Sequence, residues 1–135
     1  MNKNSIIDTY STEYFTDIVV ANKYTTLEDL QNLYEYHNGD ELDDSITSSD
    51  CCTALCTRKA DNMPCVLIKH NHFAQIKSVD KKVDLINSIC HESGHAALDI
   101  YEKIGQNICF CSPEPFCYLL GFIGECMYKT LTKKP

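Results

Sequence analysis

Three stretches in the first half of the chain carry hydrophobic patterns that predict secondary structure. Residues 13–22, EYFTDIVVAN, are rich in β-branched and aromatic side chains and predict a strand. Residues 25–37 predict a helix, because leucines recur at helical spacing after a capping box formed by Thr25 and Glu28. Residues 52–70 predict a hairpin of two short strands around the turn ADNMP.

Longer helical patterns follow in the second half of the chain. Residues 83–104 predict a helix that ends before Gly105, a residue suited to the position after a helix C-terminus. Residues 113–131 predict another helix, since prolines occur in its first turn. The acidic segment 38–50 is rich in turn-forming residues and predicts a solvated loop. Together these elements predict a single α+β domain over residues 1–135, with a short mixed or antiparallel sheet packed against the two long helices.

Composition narrows the class of protein. The chain has 135 residues, enough for one domain, and its 44% hydrophobic and 23% charged residues are ordinary for a globular protein. The net charge of −7 argues against nucleic-acid binding, which needs a basic surface. No apolar run approaches the roughly 18 residues of a membrane span, and the N-terminal residues do not resemble a signal peptide. We therefore expect a cytoplasmic protein with no membrane or nucleic-acid partner.

The chain contains nine cysteines, and an odd number argues against a disulfide framework. Cys90, Cys117 and Cys126 fall within helical apolar patterns, and we expect them to serve as small core residues. The clusters at 51–56 and 109–111 leave a second metal site as an alternative, although paired C-x-x-C spacing is absent.

The stretch ICHESGHAA contains His91-Glu92-x-x-His95 within the first long helix. Side chains four residues apart lie on one helix face, about 5–6 Å apart at Cβ, so both imidazoles can bind a single zinc ion. Glu92 is turned by about 100° from His91, where a general base for a metal-activated water belongs. The alternative is a pair of helix histidines with no metal. The apolar surroundings favour the metal, because unpaired polar groups there are costly.

The same helix carries a continuous apolar stripe beside the histidines. Its members share one side of a helical wheel: Val83, Ile86, Cys90, Gly94, Ala97, Tyr101 and Ile104. We expect this stripe to pack on the sheet and the histidines to lie on an adjoining face.

A catalytic zinc site needs a third protein ligand. Glu114 is the leading candidate, because the second long helix can fold back and place its first turn opposite the histidines. A cysteine of segment 109–111, Asp99 or Glu102 remain alternatives. Tyr118 lies one turn beyond Glu114, and it either supports a ligand or an oxyanion at the same site or packs in the core.

Three further histidines lie outside this motif. His70 and His72 form an H-x-H pair at the end of a presumed edge strand. Alternate residues of a strand point to one side, so either one can stabilise a transition state beside the helix, although a plain surface position is the simpler interpretation. His37, at the end of the predicted helix 25–37, is interpreted as a partner for the helix dipole.

The run CHESGHAALDIYEKIG, followed by EPFCYLLGFI, resembles the gluzincin branch of the zincin metallopeptidases, and in particular small zincin-like proteins common in bacteriophage genomes. The resemblance covers about residues 83–128. It implies a zinc cofactor with three ligands and a general base: His91, His95, Glu114 and Glu92. It also implies the host cytoplasm as the location if the chain is phage-encoded. The branch often has an acidic residue one turn after its glutamate ligand, where this chain has Tyr118.

Two functions remain open. In the first, the protein is a zinc hydrolase acting on a peptide or protein substrate: Glu92 takes a proton from water and later delivers it to the leaving amine. In the second, it is a catalytically silent zincin-like scaffold, stapled by zinc, that binds a host or virion partner. The shortness of the chain and the acidic segment 38–50 motivate the second function.

Overall fold

The computed structural model describes residues 1–71 and 79–134. Five strands form its sheet: β1 (Ile7–Tyr10), β2 (Asp17–Ala21), β3 (Tyr34–Tyr36), β4 (Cys51–Arg58) and β5 (Pro64–His70). The described helices are α1 (Leu27–Leu33), α2 (Val79–Lys103) and α3 (Glu114–Leu131), with a short 3₁₀ helix at Asp44–Ile46. The predicted α+β class is confirmed.

The strands form one mixed sheet in the order β1-β2-β5-β4-β3. β2 and β5 pair in parallel, with Val19 opposite Leu67, and the other neighbours are antiparallel. The predicted hairpin is confirmed as β4 and β5, in which Cys56 lies opposite Cys65. Because β5 has a paired strand on each side, the expectation that His70 lies on an edge strand is wrong.

Both faces of this sheet are buried. On one face α2 contacts β4 and β5, and α3 contacts β2 and β1. That core contains Ile18, Val20, Val66, Ile68, Ala96, Ala97, Ile100, Tyr101, Leu119, Ile123, Cys126 and Met127. The core on the other face contains Val19, Ala21, Leu30, Tyr34, Leu42, Ile46, Cys56, Cys65 and Leu67. Strands buried on both faces have continuous apolar sequences, which explains the run in β2.

The first helix begins one residue later than its sequence pattern predicts. Thr26 is the N-cap: its hydroxyl accepts a hydrogen bond from the Asp29 amide at 3.1 Å, and its own amide donates to the Asp29 carboxylate at 3.0 Å. Thr25 is not available for this role, because it is buried and its hydroxyl donates to the Ile6 carbonyl at 3.2 Å. The predicted Thr25–Glu28 capping box is therefore wrong by one position.

The predicted helix also ends early, because its last part joins the sheet. Residues Tyr34–Tyr36 pair with β4 as the strand β3, in keeping with the strand preference of aromatic side chains. His37 follows this strand and donates its amide to the Leu55 carbonyl at 3.0 Å, so its interpretation as a helix-dipole partner is wrong. The segment 38–50 is more than a solvated loop, since Leu42 and Ile46 are fully buried.

Helix α2 buries a different face from the predicted stripe. Val83, Ile86 and Cys90 are exposed, whereas Ala97 and Tyr101 are buried. The buried residues of the described helix are Leu85, Glu92, Ser93, Ala96, Ala97, Ile100 and Tyr101. Of the predicted stripe, only Ala97 and Tyr101 are thus among the buried residues of the described helix.

The cysteines are free thiols, and their burial varies. Cys126 is buried as expected. Cys90 and Cys117 are exposed, so their prediction as core residues is wrong. The clusters at 51–56 and 109–111 belong to no group of three or more potential ligands able to hold a metal ion among the described residues.

Lys69 is a buried cation at the end of β5. Its ammonium donates to the Asn22 carbonyl at 2.9 Å, the His70 carbonyl at 3.0 Å and the Asn71 side-chain oxygen at 2.7 Å. Burial lowers its pKa to about 8. The first of these bonds joins the end of β5 to Asn22, the residue that follows β2.

No helix within residues 1–71 and 79–134 combines the length and the apolar character that crossing a bilayer requires.

The buried thiols give an expected pH dependence of stability. Burial raises the pKa of Cys65 to about 12 and that of Cys126 to about 11, against a usual value of 9.0. Above about pH 9 the unfolded chain loses protons that the folded chain keeps, so stability falls as pH rises, by up to about 1.4 kcal/mol per pH unit and thiol. Lys69 acts in the opposite sense but is a single group.

Urea unfolding under reducing conditions between pH 8 and about pH 11 measures this fall. The free energy of unfolding of the variant Cys65→Val should fall less steeply with pH than that of the wild type, because one thiol with a raised pKa is removed. Equal slopes for the two proteins would contradict the assignment of the pH dependence to buried thiols.

Candidate functional site

The two motif histidines lie together on the exposed side of α2. The Nε2 atoms of His91 and His95 are 3.1 Å apart, and the ring centroids are 4.7 Å apart. Two nitrogens bound tetrahedrally to one zinc ion, at roughly 2.0–2.1 Å each, lie about 3.3 Å apart. The spacing of the pair therefore fits two ligands of a single zinc ion. Without a metal, the same spacing lets one imidazole donate a hydrogen bond to the other.

Glu92 points inward beside this pair. It is only 6% exposed, and its Oε1 lies 3.9 Å from Nε2 of His91. Its Oε2 accepts a hydrogen bond of 2.5 Å from the hydroxyl of Thr53 on β4. A step of one residue turns the side chain by about 100° around the helix, which places His91 outside and Glu92 against the sheet. One carboxylate oxygen is held by the sheet, and the other faces the histidine side.

Thr53 is a site residue that the sequence interpretation missed. β4 alternates sides, and Cys51 and Leu55 pack into the core beneath α2 and α3. Thr53 therefore points to the same side as these two residues. The sequence does contain a signal for this contact. Once the hairpin is predicted, Thr53 lies between inward-facing apolar residues, and its buried hydroxyl needs a polar partner. A glutamate on the covering helix supplies one.

Cys51 lies in the same region. Burial raises the pKa of its thiol, and the nearby carboxylate of Glu92 raises it further. Cys51 packs against the core beneath α2 and α3.

His70 is opposite Cys51 in the β4–β5 register. It is fully buried and alternates with Val66 and Ile68, so its ring points toward α2 and α3. Its interpretation as a plain surface residue is wrong. His72 lies outside the described residues.

The structure places α3 on the opposite side of α2 from the histidines. Ser93 faces α3, since its Oγ lies 3.6 Å from the sulfur of Met127. His91 and His95 are each two residues from Ser93, which corresponds to about 200° around the helix. The imidazoles therefore point almost directly away from α3.

Glu114 is consequently not brought to the histidines. The ring of Phe116 packs on that of Tyr101, with centroids 5.1 Å apart, so the first turn of α3 lies at the C-terminal end of α2. Tyr101 is six positions beyond His95, which is about 9 Å along the helix axis. Glu114 is also exposed. Glu114 therefore lies on a different side of α2 from His91 and His95, and nearer the C-terminal end of that helix.

The other proposed members of the site are placed as follows. Tyr118 is on α3, 74% exposed, and lines a cavity on the far side of the molecule from the histidines. Asp99 is half-buried; burial raises the pKa of its carboxyl and the neighbouring His95 lowers it. Within residues 1–71 and 79–134, no three His, Cys, Asp or Glu side chains are close enough to hold one metal ion.

Known proteins give no match to this chain: no family model, no curated protein and no solved structure is similar to it. The resemblance to small zincin-like proteins therefore stays a prediction. The geometry of residues 91–95 and Thr53 has to support any functional interpretation by itself.

The contact between Thr53 and Glu92 gives a stability prediction. Thr53→Val keeps the shape of the side chain and removes the hydroxyl, which leaves a buried carboxylate oxygen without its partner. We expect a loss of about 1–3 kcal/mol in the free energy of unfolding, measured by urea denaturation.

A double-mutant cycle with Glu92→Ala tests the pairing, with an expected coupling on the order of 1 kcal/mol. Thr57→Val, on the same side of β4, is the matched control, and its cycle with Glu92→Ala should give a coupling near zero. Similar couplings for the two threonines would refute a specific contact.

Proposed function

We propose that this protein is a zinc-dependent hydrolase, a peptidase of the zincin-like kind, with its reaction centre on the exposed face of α2. One observation carries the proposal. The Nε2 atoms of His91 and His95 have the spacing of two zinc ligands, and the buried carboxylate of Glu92 lies 3.9 Å from one of them. Two converging imidazoles with a carboxylate beside them form part of the arrangement used in metal-assisted hydrolysis, in which a third protein ligand is usual.

His91 and His95 would hold the metal through Nε2. When bound there, zinc would act as a Lewis acid toward a substrate carbonyl and would bring the pKa of water toward 7. Glu92 would take a proton from that water through Oε1 and deliver it to the leaving amine. Thr53 would hold the other oxygen of the carboxylate, so the base would not need to reorient during the reaction.

Glu114 and Tyr118 are left out of this proposal, because they lie on α3, on the side of α2 away from the imidazoles. A zinc ion on two imidazoles has more coordination positions for water and substrate than one on three protein ligands. It would also be bound more weakly. Binding of zinc in the micromolar range or weaker is therefore the expectation, rather than the tight binding of a structural zinc site.

The same geometry argues against the alternative of a zinc-stapled scaffold. A staple joins separate parts of the chain, as Glu114 would have done from α3. His91 and His95 occupy successive turns of one helix, so a metal between them constrains nothing else. Hydrolysis is therefore the better-supported function. A binding role without catalysis would be the outcome if the protein holds zinc and cleaves no peptide.

Zinc binding distinguishes the sequence prediction from the geometry. His91→Ala and His95→Ala should each weaken zinc binding by about 100-fold or more, because one of two ligands is lost. Glu114→Gln should leave it unchanged, because its carboxylate does not reach the pair. Equilibrium dialysis with metal analysis measures all three variants. A large loss in Glu114→Gln would show that α3 supplies a ligand, and unchanged binding in both histidine variants would refute the site.

The general base gives a separate prediction. Glu92→Gln should retain zinc and lower kcat toward a susceptible peptide by about 10²–10⁴-fold, the usual contribution of a positioned base. The matched control is Glu125→Gln, an exposed glutamate on α3 that pairs with Lys129. The assay is cleavage of a peptide library followed by mass spectrometry. Full activity in Glu92→Gln would remove this residue from the mechanism.

A further inference from the structure

A groove on the far side of the molecule from the histidines is not used by the proposed reaction. It begins as a cavity of about 530 Å³ between the β1–β2 connection and α3. Its lining consists of Ser11, Thr12, Glu13, Tyr14, Pro115, Tyr118, Leu119 and Phe122. Volumes of about 300–1,000 Å³ with a mostly apolar lining are typical of ligand sites.

A second cavity of about 330 Å³ continues the groove around the start of α3. It shares Tyr14 and Pro115 with the first cavity and is also lined by Tyr101 and Phe116. The two cavities together make a groove rather than a single pit. A short extended segment, at about 3.3 Å per residue, matches such a shape better than a compact molecule does.

Exposed aromatic side chains adjoin this groove. Tyr118 lines the first cavity and is 74% exposed. Phe15 directly follows the lining residue Tyr14 and is 83% exposed, and Phe110 lies between the loop residues Cys109 and Ser112 that line the second cavity. Phe15 has φ of 54°, a left-handed conformation that costs a bulky residue energy. The strained backbone of Phe15 therefore coincides with an exposed aromatic ring beside the groove.

The charge of the groove indicates the sign of its ligand. Glu13 is the one charged side chain among the described residues that line either cavity. Glu114, the first residue of α3, is exposed next to the lining residue Pro115. The chain as a whole carries −7. A carboxylate among aromatic rings attracts a cation with an apolar body, through charge and through the faces of the rings.

We propose that this groove binds a short peptide segment of a partner protein, one that combines aromatic or long apolar side chains with arginine or lysine. The apolar side chains would fill the two cavities, and the cationic group would pair with Glu13. The proposal does not depend on zinc or on hydrolysis, because the groove and the imidazoles lie on different sides of α2.

The test uses three tetrapeptides that are acetylated and amidated and that differ only in their outer residues. Two arginines flank phenylalanine and leucine in the first peptide, two glutamines in the second and two glutamates in the third. Binding to the full chain is followed by amide chemical shifts and by calorimetry at low salt. The arginine peptide should bind about tenfold more tightly than the glutamate peptide, and the glutamine peptide should fall between them. The shifts should concentrate at residues 11–14 and 115–122.

Variants assign the site. Tyr118→Ala should weaken binding of the arginine peptide about fivefold. An exposed ring contributes modestly to affinity, through cation–π attraction and apolar contact. Glu13→Gln should reduce the preference for arginine over glutamate. Tyr128→Ala is the matched control, because Tyr128 is an exposed tyrosine on the same helix but does not line either cavity. Circular dichroism of each variant checks that the fold is intact.

Several results would overturn the proposal. Equal affinity for the three peptides would show that charge plays no part, and shifts centred on the acidic segment 38–50 would place binding elsewhere. Equal losses in Tyr118→Ala and Tyr128→Ala would mean that the groove is not the site. A dimer in sedimentation that Tyr118→Ala dissociates would make a second copy of the chain the occupant instead.

Discussion

The parallel pairing of β2 with β5 is the constraint on which the rest of the structure depends. Both strands are buried on both faces, so each face needs a covering layer. Helices α2 and α3 cover one face, and α1 with the 3₁₀ segment covers the other. The antiparallel strands then occupy the outer positions, with β1 on one side and β3 and β4 on the other.

The candidate reaction centre follows from the position of α2 over β4 and β5. A helix in that position has one side toward α3, one toward the sheet and one toward solvent. Ser93 takes the first, Glu92 the second, and the imidazoles the third. The motif therefore combines a buried carboxylate with exposed imidazoles. This arrangement requires no loop, because the turn of the helix itself separates the side chains.

Local patterns predicted much of the fold. The hairpin β4–β5 and the helices α2 and α3 lie close to their expected ranges, because long periodic segments are specified by their own residues. The capping box of α1 shifted by one residue, since Thr25 and Thr26 both fit the pattern and only tertiary contacts distinguish them. β3 was missed because three residues form a strand only when β4 is beside them.

The candidate site was harder to predict than the fold. Spacing along one helix was sufficient to place His91 and His95 together. The predicted role of Glu114 depended on which side of α2 the next helix packs against. The apolar stripe of α2 does not indicate whether a sheet or a helix will cover that stripe. Thr53 depended on the register of β4 beneath α2. Contacts between elements distant in sequence are therefore the part that periodicity leaves open.

The hydrogen bonds of Lys69 have a consequence for which residues this position can accept. Its ammonium satisfies two main-chain carbonyls and one amide oxygen where the parallel strands end, and none of these three acceptors is a carboxylate. Methionine would match its length but would remove the donor from these three acceptors, of which the Asn22 carbonyl also accepts from the Thr25 amide at 3.2 Å. Arginine would bring a planar group of different shape. Lysine is thus kept here as a three-way donor, and its charge is incidental to that use. A residue usually associated with surfaces acts in this protein as an internal tether.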